Sequence, residues 1–208
     1  MEQFGKKDKL PLKEIAAIST GQSSPHDDEF CNKGVPFIKA GDLEDLKLNK
    51  RTEKQCHLVS DEVAGIKKLK LQNTGTVLVA KSGMSCLSGH IYALKEPAYV
   101  VSHLACICPK DNKSTTEFIR GFFLTVGITE LIKDPSYPSI QLTQFGEMEV
   151  PDADIEELTS FSLYLRQSDK SKFAIQVCSN LNLSGRYALC FHQRQLMNGG
   201  VHNGKISV

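Results

Sequence analysis

The sequence predicts an α+β fold: a twisted, mixed or antiparallel β-sheet with short helices, followed by a long C-terminal helix. Three observations carry that expectation. Short runs rich in Val, Ile, Tyr and Phe recur between residues 35 and 108, bounded by Gly, Pro, Asn and Ser. A capped, apolar-faced stretch follows near residue 116. After Pro151 a pattern with helical spacing runs from about 153 to 181, or ~45 Å at 1.5 Å per residue. The expected organisation is a sheet domain over residues 1–151, a helix over 152–183 and an irregular, Gly- and Asn-rich tail over 184–208.

Residues 9–18 (KLPLKEIAAI) read as an opening strand or short helix, and 19–34 as loop. Strands are expected at 35–39, 76–80, 89–94 and 99–108. Ser60 is placed to cap a helical turn or two over 61–66. Ser114-Thr115-Thr116-Glu117 has the form of a capping box, with Ser114 as N-cap and Glu117 reaching back. The helix it starts runs to about Lys133, and Phe118, Phe122 and Val126 give it a wide apolar face for the core. Pro135 and Pro138 frame a loop over 133–141, and a strand follows near 146–150. Asp152, Asp154, Glu156 and Glu157 suit the first turns of the last helix, where the macrodipole favours carboxylates. Its apolar stripe includes Leu158, Phe161, Leu165 and Phe173, which become the candidates for dimerisation or partner docking.

Composition excludes some functions and localises others. Net charge is only +1 over 208 residues, so polyanion binding requires local segregation of charge. Segregation is present. Residues 33–81 carry ten basic side chains against six acidic, whereas 147–157 carries six acids and no base. A polyphosphate should find the first region and avoid the second. The N-terminus lacks the apolar core of a signal peptide, and no run approaches ~18 apolar residues, so the expected compartment is the cytoplasm. Seven cysteines at irregular spacings, with no CxxC pair, give no support to a metal site; none is expected, nor a cofactor. Phosphate-loop, nucleophile-elbow, zinc-protease and adenine-methylation motifs are absent from the sequence.

Two stretches share one grammar. GVPFIKAGDL (34–43) and TGTVLVAKSG (74–83) are each a short apolar strand delivering a lysine and a glycine to a loop. Lys39 and Lys81 can contact phosphate or a guanine edge. Gly41 and Gly83 suit positive φ or close approach to DNA, or plain turn chemistry. Asp42 can accept from a cytosine amino group or cap the turn that follows. Lys50, Arg51 and Lys54 have the character of phosphate clamps, Arg51 with a bidentate fork. Ser82 and Ser85 lie in the loop after Lys81. Tyr137, Ser139 and Gln141 occupy the proline-framed loop, and Gln141 can pair with adenine. His90 and His103 read as packed histidines. A Cys86–His90 nucleophile pair is the enzymatic reading of the same loop.

The ordered pattern KLPLKEIAAISTGQSSP, GVPFIKAGDL, TGTVLVAKSG, VVSHLACICP, PSIQL and MEVP resembles one target-recognition domain of a type I restriction-modification specificity subunit, over roughly residues 9–151. The helix beyond Pro151 is similar in position to that family's spacer helix. The resemblance implies a non-catalytic component that reads half of a split double-stranded DNA site. It further implies that the helix docks methylation subunits and, through them, a restriction or motor subunit. The usual subunit has two recognition domains and two spacer helices. This chain has one of each, so a half-subunit that dimerises through the helix is one expectation and a truncated product or fragment another. PDADIEEL replaces the usual start of the spacer. The rival readings are a helix-mediated adaptor or regulator without site-specific DNA binding, and a small cysteine-dependent enzyme.

Overall fold

The structure, a computed structural model, describes residues 8–168 apart from residue 112. Phe173, the later part of the expected spacer helix and the 184–208 tail lie outside the described residues. In chain order the elements are β1 (Lys9–Pro11), α1 (Leu12–Ile15), β2 (Ala16–Thr20), β3 (Val35–Ile38), α2 (Leu43–Lys47), β4 (His57–Val59), α3 (Asp61–Ile66) and β5 (Val77–Ala80). Then come β6 (Ile91–Ala93), β7 (Tyr99–Val100), β8 (Leu104–Pro109), α4 (Thr116–Val126), α5 (Leu142–Gly146), β9 (Glu149–Pro151) and α6 (Ile155–Ser168). The α+β class and the mixture of antiparallel sheets with short helices are as the sequence predicts.

An antiparallel sheet, ordered β2-β8-β5-β6, forms the centre. It is buried on both faces. Val77 and Val79 of β5, with Ala105 and Ile107 of β8, face a core shared with α1, α4, α5 and α6. Leu78 and Ala80, with Leu104 and Cys106, face a second core shared with β3, β7 and α2. Period-two alternation therefore sorts one strand's residues between two cores, which is why these strands read as continuous apolar runs. The second sheet is ordered β4-β3-β7, with β3 and β7 parallel; a two-stranded β1–β9 ribbon brings the two ends of the domain together.

Local expectations were met unevenly. Ser60 Oγ accepts from the Val63 N–H and caps α3 as its sequence suggests. The expected capping box at Ser114 does not form. Thr115 is the N-cap of α4, accepting from the Phe118 N–H at 3.1 Å, while Ser114 donates to the Ile15 carbonyl at 2.8 Å. A buried carbonyl from another element takes the hydroxyl that the local pattern assigned to the helix. The same helix stops at Val126, because Gly127 adopts φ 76°. The run expected as one strand over 99–108 is two, parted by a turn at Val101–Leu104 (Leu104 N–H to the Val101 carbonyl, 3.0 Å). The strand expected near 146–150 shifts to Glu149–Pro151 because α5 occupies residues up to Gly146.

The largest departure concerns the last helix. Leu158, Phe161 and Leu165 are not a free docking face: each is buried in the core against α4. Phe161 packs edge-on to Phe118, with ring centroids 5.8 Å apart. Gly121 of α4 makes room for it; a methyl group there would sit 2.7 Å from the Phe161 ring. The partner helix that the stripe requires is α4 of the same chain. Among the described residues no helix is long and apolar enough to cross a membrane.

Candidate nucleic-acid interface

The strands β3 and β5, which carry the lysine-tipped loops, both end at one turn. β3 is parallel to β7, and β5 is antiparallel to β8, the strand that follows β7. At the end of β3, the Val101 N–H donates to the Ile38 carbonyl at 3.0 Å. At the end of β5, the Lys81 N–H donates to the His103 carbonyl at 2.9 Å. Lys39 and Lys81 therefore leave the scaffold on either side of the Val101–Leu104 turn, at one rim of the molecule.

Around the end of β3 the predicted residues gather into a charge-paired group. The Asp42 carboxylate accepts from the Lys39 N–H at 2.7 Å and from the Arg51 guanidinium. It is buried, so its negative charge is committed to holding this loop. Arg51 is correspondingly engaged through one guanidinium nitrogen, turned toward Asp42 rather than presented as a free fork for phosphate. Lys39 lies over the Phe30 ring, 4.7 Å from its centroid, and 3.8 Å from the Asp27 carboxylate. Lys50 is 3.8 Å from Asp45 and Lys54 is 2.9 Å from Glu96. Both lysines are well exposed, and surface pairs of this kind are weak enough for a phosphate to replace. Gly41 is exposed and is not among the positive-φ glycines; a side chain there meets nothing, so no backbone reason requires glycine.

The segment from Lys50 to Lys54 is anchored by Glu53. This buried carboxylate accepts from the Tyr92 hydroxyl at 2.6 Å and the Lys95 N–H at 2.8 Å. Burial works to raise its pKa, but the two donors outweigh burial and hold the carboxyl below its ordinary value.

Around the end of β5 the two predicted loops are stitched together. The Ile140 N–H donates to the Lys81 carbonyl at 2.7 Å, Ser82 bridges Ser139 in antiparallel register, and the Gly83 N–H donates to the Pro138 carbonyl at 3.0 Å. Gly83 adopts φ 76°, where a side chain is disfavoured, so glycine is required at this tip. Ser82 Oγ lies 2.8 Å from His103 Nδ1, which brings His103 to the rim. Tyr137, Ser139 and Gln141 are exposed beside Ser82, and Ser85 is half-buried in the short turn after Gly83. The Gln141 N–H is occupied by Gln144 Oε1 at 2.8 Å. Lys81 has no ion pair among the described residues, which separates it from Lys39.

Sequence reasoning missed Gln22, Ser102 and His103. Gln22 bonds through its backbone to Val100 and Ser102, and its side chain donates to the Lys68 carbonyl at 2.6 Å and accepts from the Lys70 N–H. It thus ties the exposed Lys68 and Lys70 to the rim, with Lys68 held at φ 52°. Lys67 instead pairs with Glu29 at 2.9 Å. The Lys67-Lys68-Lys70 cluster was the one visible signal. No local pattern marks Gln22.

The acidic segment lies elsewhere. Glu147 and Glu149 pair with Lys13 and Lys9, at 2.6 and 2.9 Å, at the end of β2 away from the turn. The enzymatic reading of Cys86 finds no support in its surroundings. Cys86 is fully buried and burial pushes its thiol up, disfavouring thiolate. His90 faces Glu44, at 3.8 Å, and burial lowers its pKa.

A family model described as type I restriction modification DNA specificity domain matches residues 6–173, and the chain belongs to that family. The family supplies the non-catalytic specificity component of type I systems. Similar solved structures agree in fold. One comes from work on complex assembly and conformational transition of the type I R-M system (TM-score 0.62, 17% identity, covering 93% of this chain and 46% of that one). Another is the HsdS subunit from Thermoanaerobacter tengcongensis (TM-score 0.57, 17% identity, 96% and 45%). A third is the type I restriction-modification S subunit from M. genitalium (TM-score 0.57, 11% identity, 88% and 44%). The chain spans a little under half the length of each. No curated protein sequence matches it.

Proposed function

We propose that the chain binds double-stranded DNA sequence-specifically, as part of the specificity component of a type I restriction-modification system. The observation that carries this reading is the meeting of β3 and β5 at the Val101–Leu104 turn, which sets Lys39 and Lys81 on one rim with Lys68, Lys70, Ser82 and His103. Phosphate contacts from the lysines would supply most of the affinity, and base contacts from Ser82, Ser139 and Gln141 the selectivity. Partner subunits that methylate adenine would dock on the last helix. With Leu158, Phe161 and Leu165 in the core, that role falls to the opposite face of α6, where Ile155 and Leu163 are exposed. A second copy meeting this one along the same helix would complete a symmetric split site.

The test is the salt dependence of duplex binding by the full chain, measured with the methylation partner supplied. Lys39→Ala with Lys81→Ala should weaken binding strongly and flatten the slope of log K against log salt by about two, since each lost phosphate contact removes ~0.9. An unchanged slope eliminates both contacts. Binding of the partner without any preference among duplex sequences would favour the adaptor reading.

A further inference from the structure

The stitched loops end in a feature that the lysines do not account for. Lys81–Met84 and Tyr137–Ile140 form two antiparallel arms: Lys81 faces Ile140, Ser82 faces Ser139 and Gly83 faces Pro138. Pro138 and Ile140 are buried and anchor the second loop. Beyond this pairing come Met84, the first residue of a short 3-10 turn, and Tyr137 on the other loop. They are 72% and 82% exposed, the two most exposed large apolar residues described. Two exposed apolar residues carried by neighbouring, stitched loops suit insertion into an apolar stack. The Lys81 cation and Ser82 beside it suit the polyanionic backbone that flanks such a stack.

We propose that Met84 and Tyr137 form an apolar wedge that presses into the base stack of bound duplex DNA and unstacks a base step, while Lys81 holds the adjoining phosphate. The proposal rests on the DNA-binding reading above. Met and aromatic side chains can act this way because a thioether or a ring replaces the stacking surface that the separated bases lose. The wedge would read how easily a step deforms, a form of sequence selection that requires no hydrogen bond to a base edge.

The chain contains no tryptophan, so Tyr137→Trp creates a single reporter at the exposed pair. The probe is the duplex that the wild-type chain enriches from a randomised duplex library, prepared with and without 2-aminopurine substitutions along its length. Binding should quench the tryptophan emission of the Tyr137→Trp variant and brighten at least one 2-aminopurine. The Met84→Ala, Tyr137→Ala double variant should bind about tenfold or more weakly and lose the brightening, with its salt slope unchanged, because no phosphate contact is removed. Lys81→Ala should do the converse to the slope, lowering it by ~0.9.

Tryptophan emission that stays unquenched on binding, or brightening that survives the double variant, overturns the wedge and leaves the DNA-binding reading intact. A reduced slope in the double variant also overturns it and makes the exposed pair a phosphate contact. Loss of partner assembly with DNA distortion retained makes the pair a protein contact instead. If the wild-type chain, with the methylation partner supplied, enriches no duplex and binds none, the DNA-binding reading fails and the wedge fails with it.

Discussion

Asp42 and Arg51 illustrate how a residue's chemistry is set by its neighbours. Each is a plausible DNA contact when read alone, yet the buried Asp42 carboxylate takes the Arg51 guanidinium and the Lys39 N–H. Arg51→Ala should therefore lower folding stability, by about 1–3 kcal/mol, because it leaves a buried carboxylate short of a charged donor. Urea unfolding measures this, and a variant as stable as wild type would return Arg51 to the pool of free phosphate contacts. Glu53 gives a pH prediction. Its folded pKa lies below the ordinary 4.5, so its contribution to stability is complete above that value and is lost as pH falls through the lower folded value. Glu53→Gln should flatten the acid limb of the stability–pH curve relative to wild type. An acid limb of unchanged steepness would show that the Tyr92 and Lys95 donors do not favour the charged form.

Helix α6 and its neighbour α4 show the same dependence for a whole element. The three-four spacing of Leu158, Phe161 and Leu165 correctly marks an apolar stripe needing a partner, but spacing carries no information about which helix supplies it. Phe161→Ala should destabilise the monomer by about 3–5 kcal/mol, the range for deleting a buried aromatic ring. Thermal or urea unfolding of the isolated chain reads this directly. A variant that unfolds like wild type but assembles poorly would restore Phe161 to an intermolecular role. Thr115 takes part in the same junction, lying 2.8 Å from Ser162 while it caps α4. The cap and the helix packing are thus coupled, which helps to explain why Thr115 rather than Ser114 holds that position.

For the molecule as a whole, charge is distributed by strand direction. β2 and β8 separate the rim bearing Lys39 and Lys81 from the end where Glu147 and Glu149 pair with Lys13 and Lys9. A chain with net charge +1 can in this way offer one face to phosphate without being basic overall. The expected loss of about two units of salt slope in the Lys39→Ala, Lys81→Ala variant belongs here, since it measures the rim as a unit. Lys81 should account for the more dependable half of that loss, because Lys39 must first leave Asp27 and the Phe30 ring.

Much of the fold was legible along the chain. Apolar runs located β3, β5, β6 and β8 to within a few residues, Ser60 announced α3, and the order of short motifs pointed to the family. These signals act over two to four residues, through side-chain alternation, capping and turn chemistry. What could not be read were pairings across long separations: Ser82 with Ser139, Gln22 with Lys68, Asp42 with Arg51, and the stripe of α6 with α4. Such contacts exist only once the chain has folded, whether by sheets joining distant segments, by a helix turning the chain back, or by helices packing together. A lysine free for phosphate and a lysine held by a carboxylate look alike until that has happened.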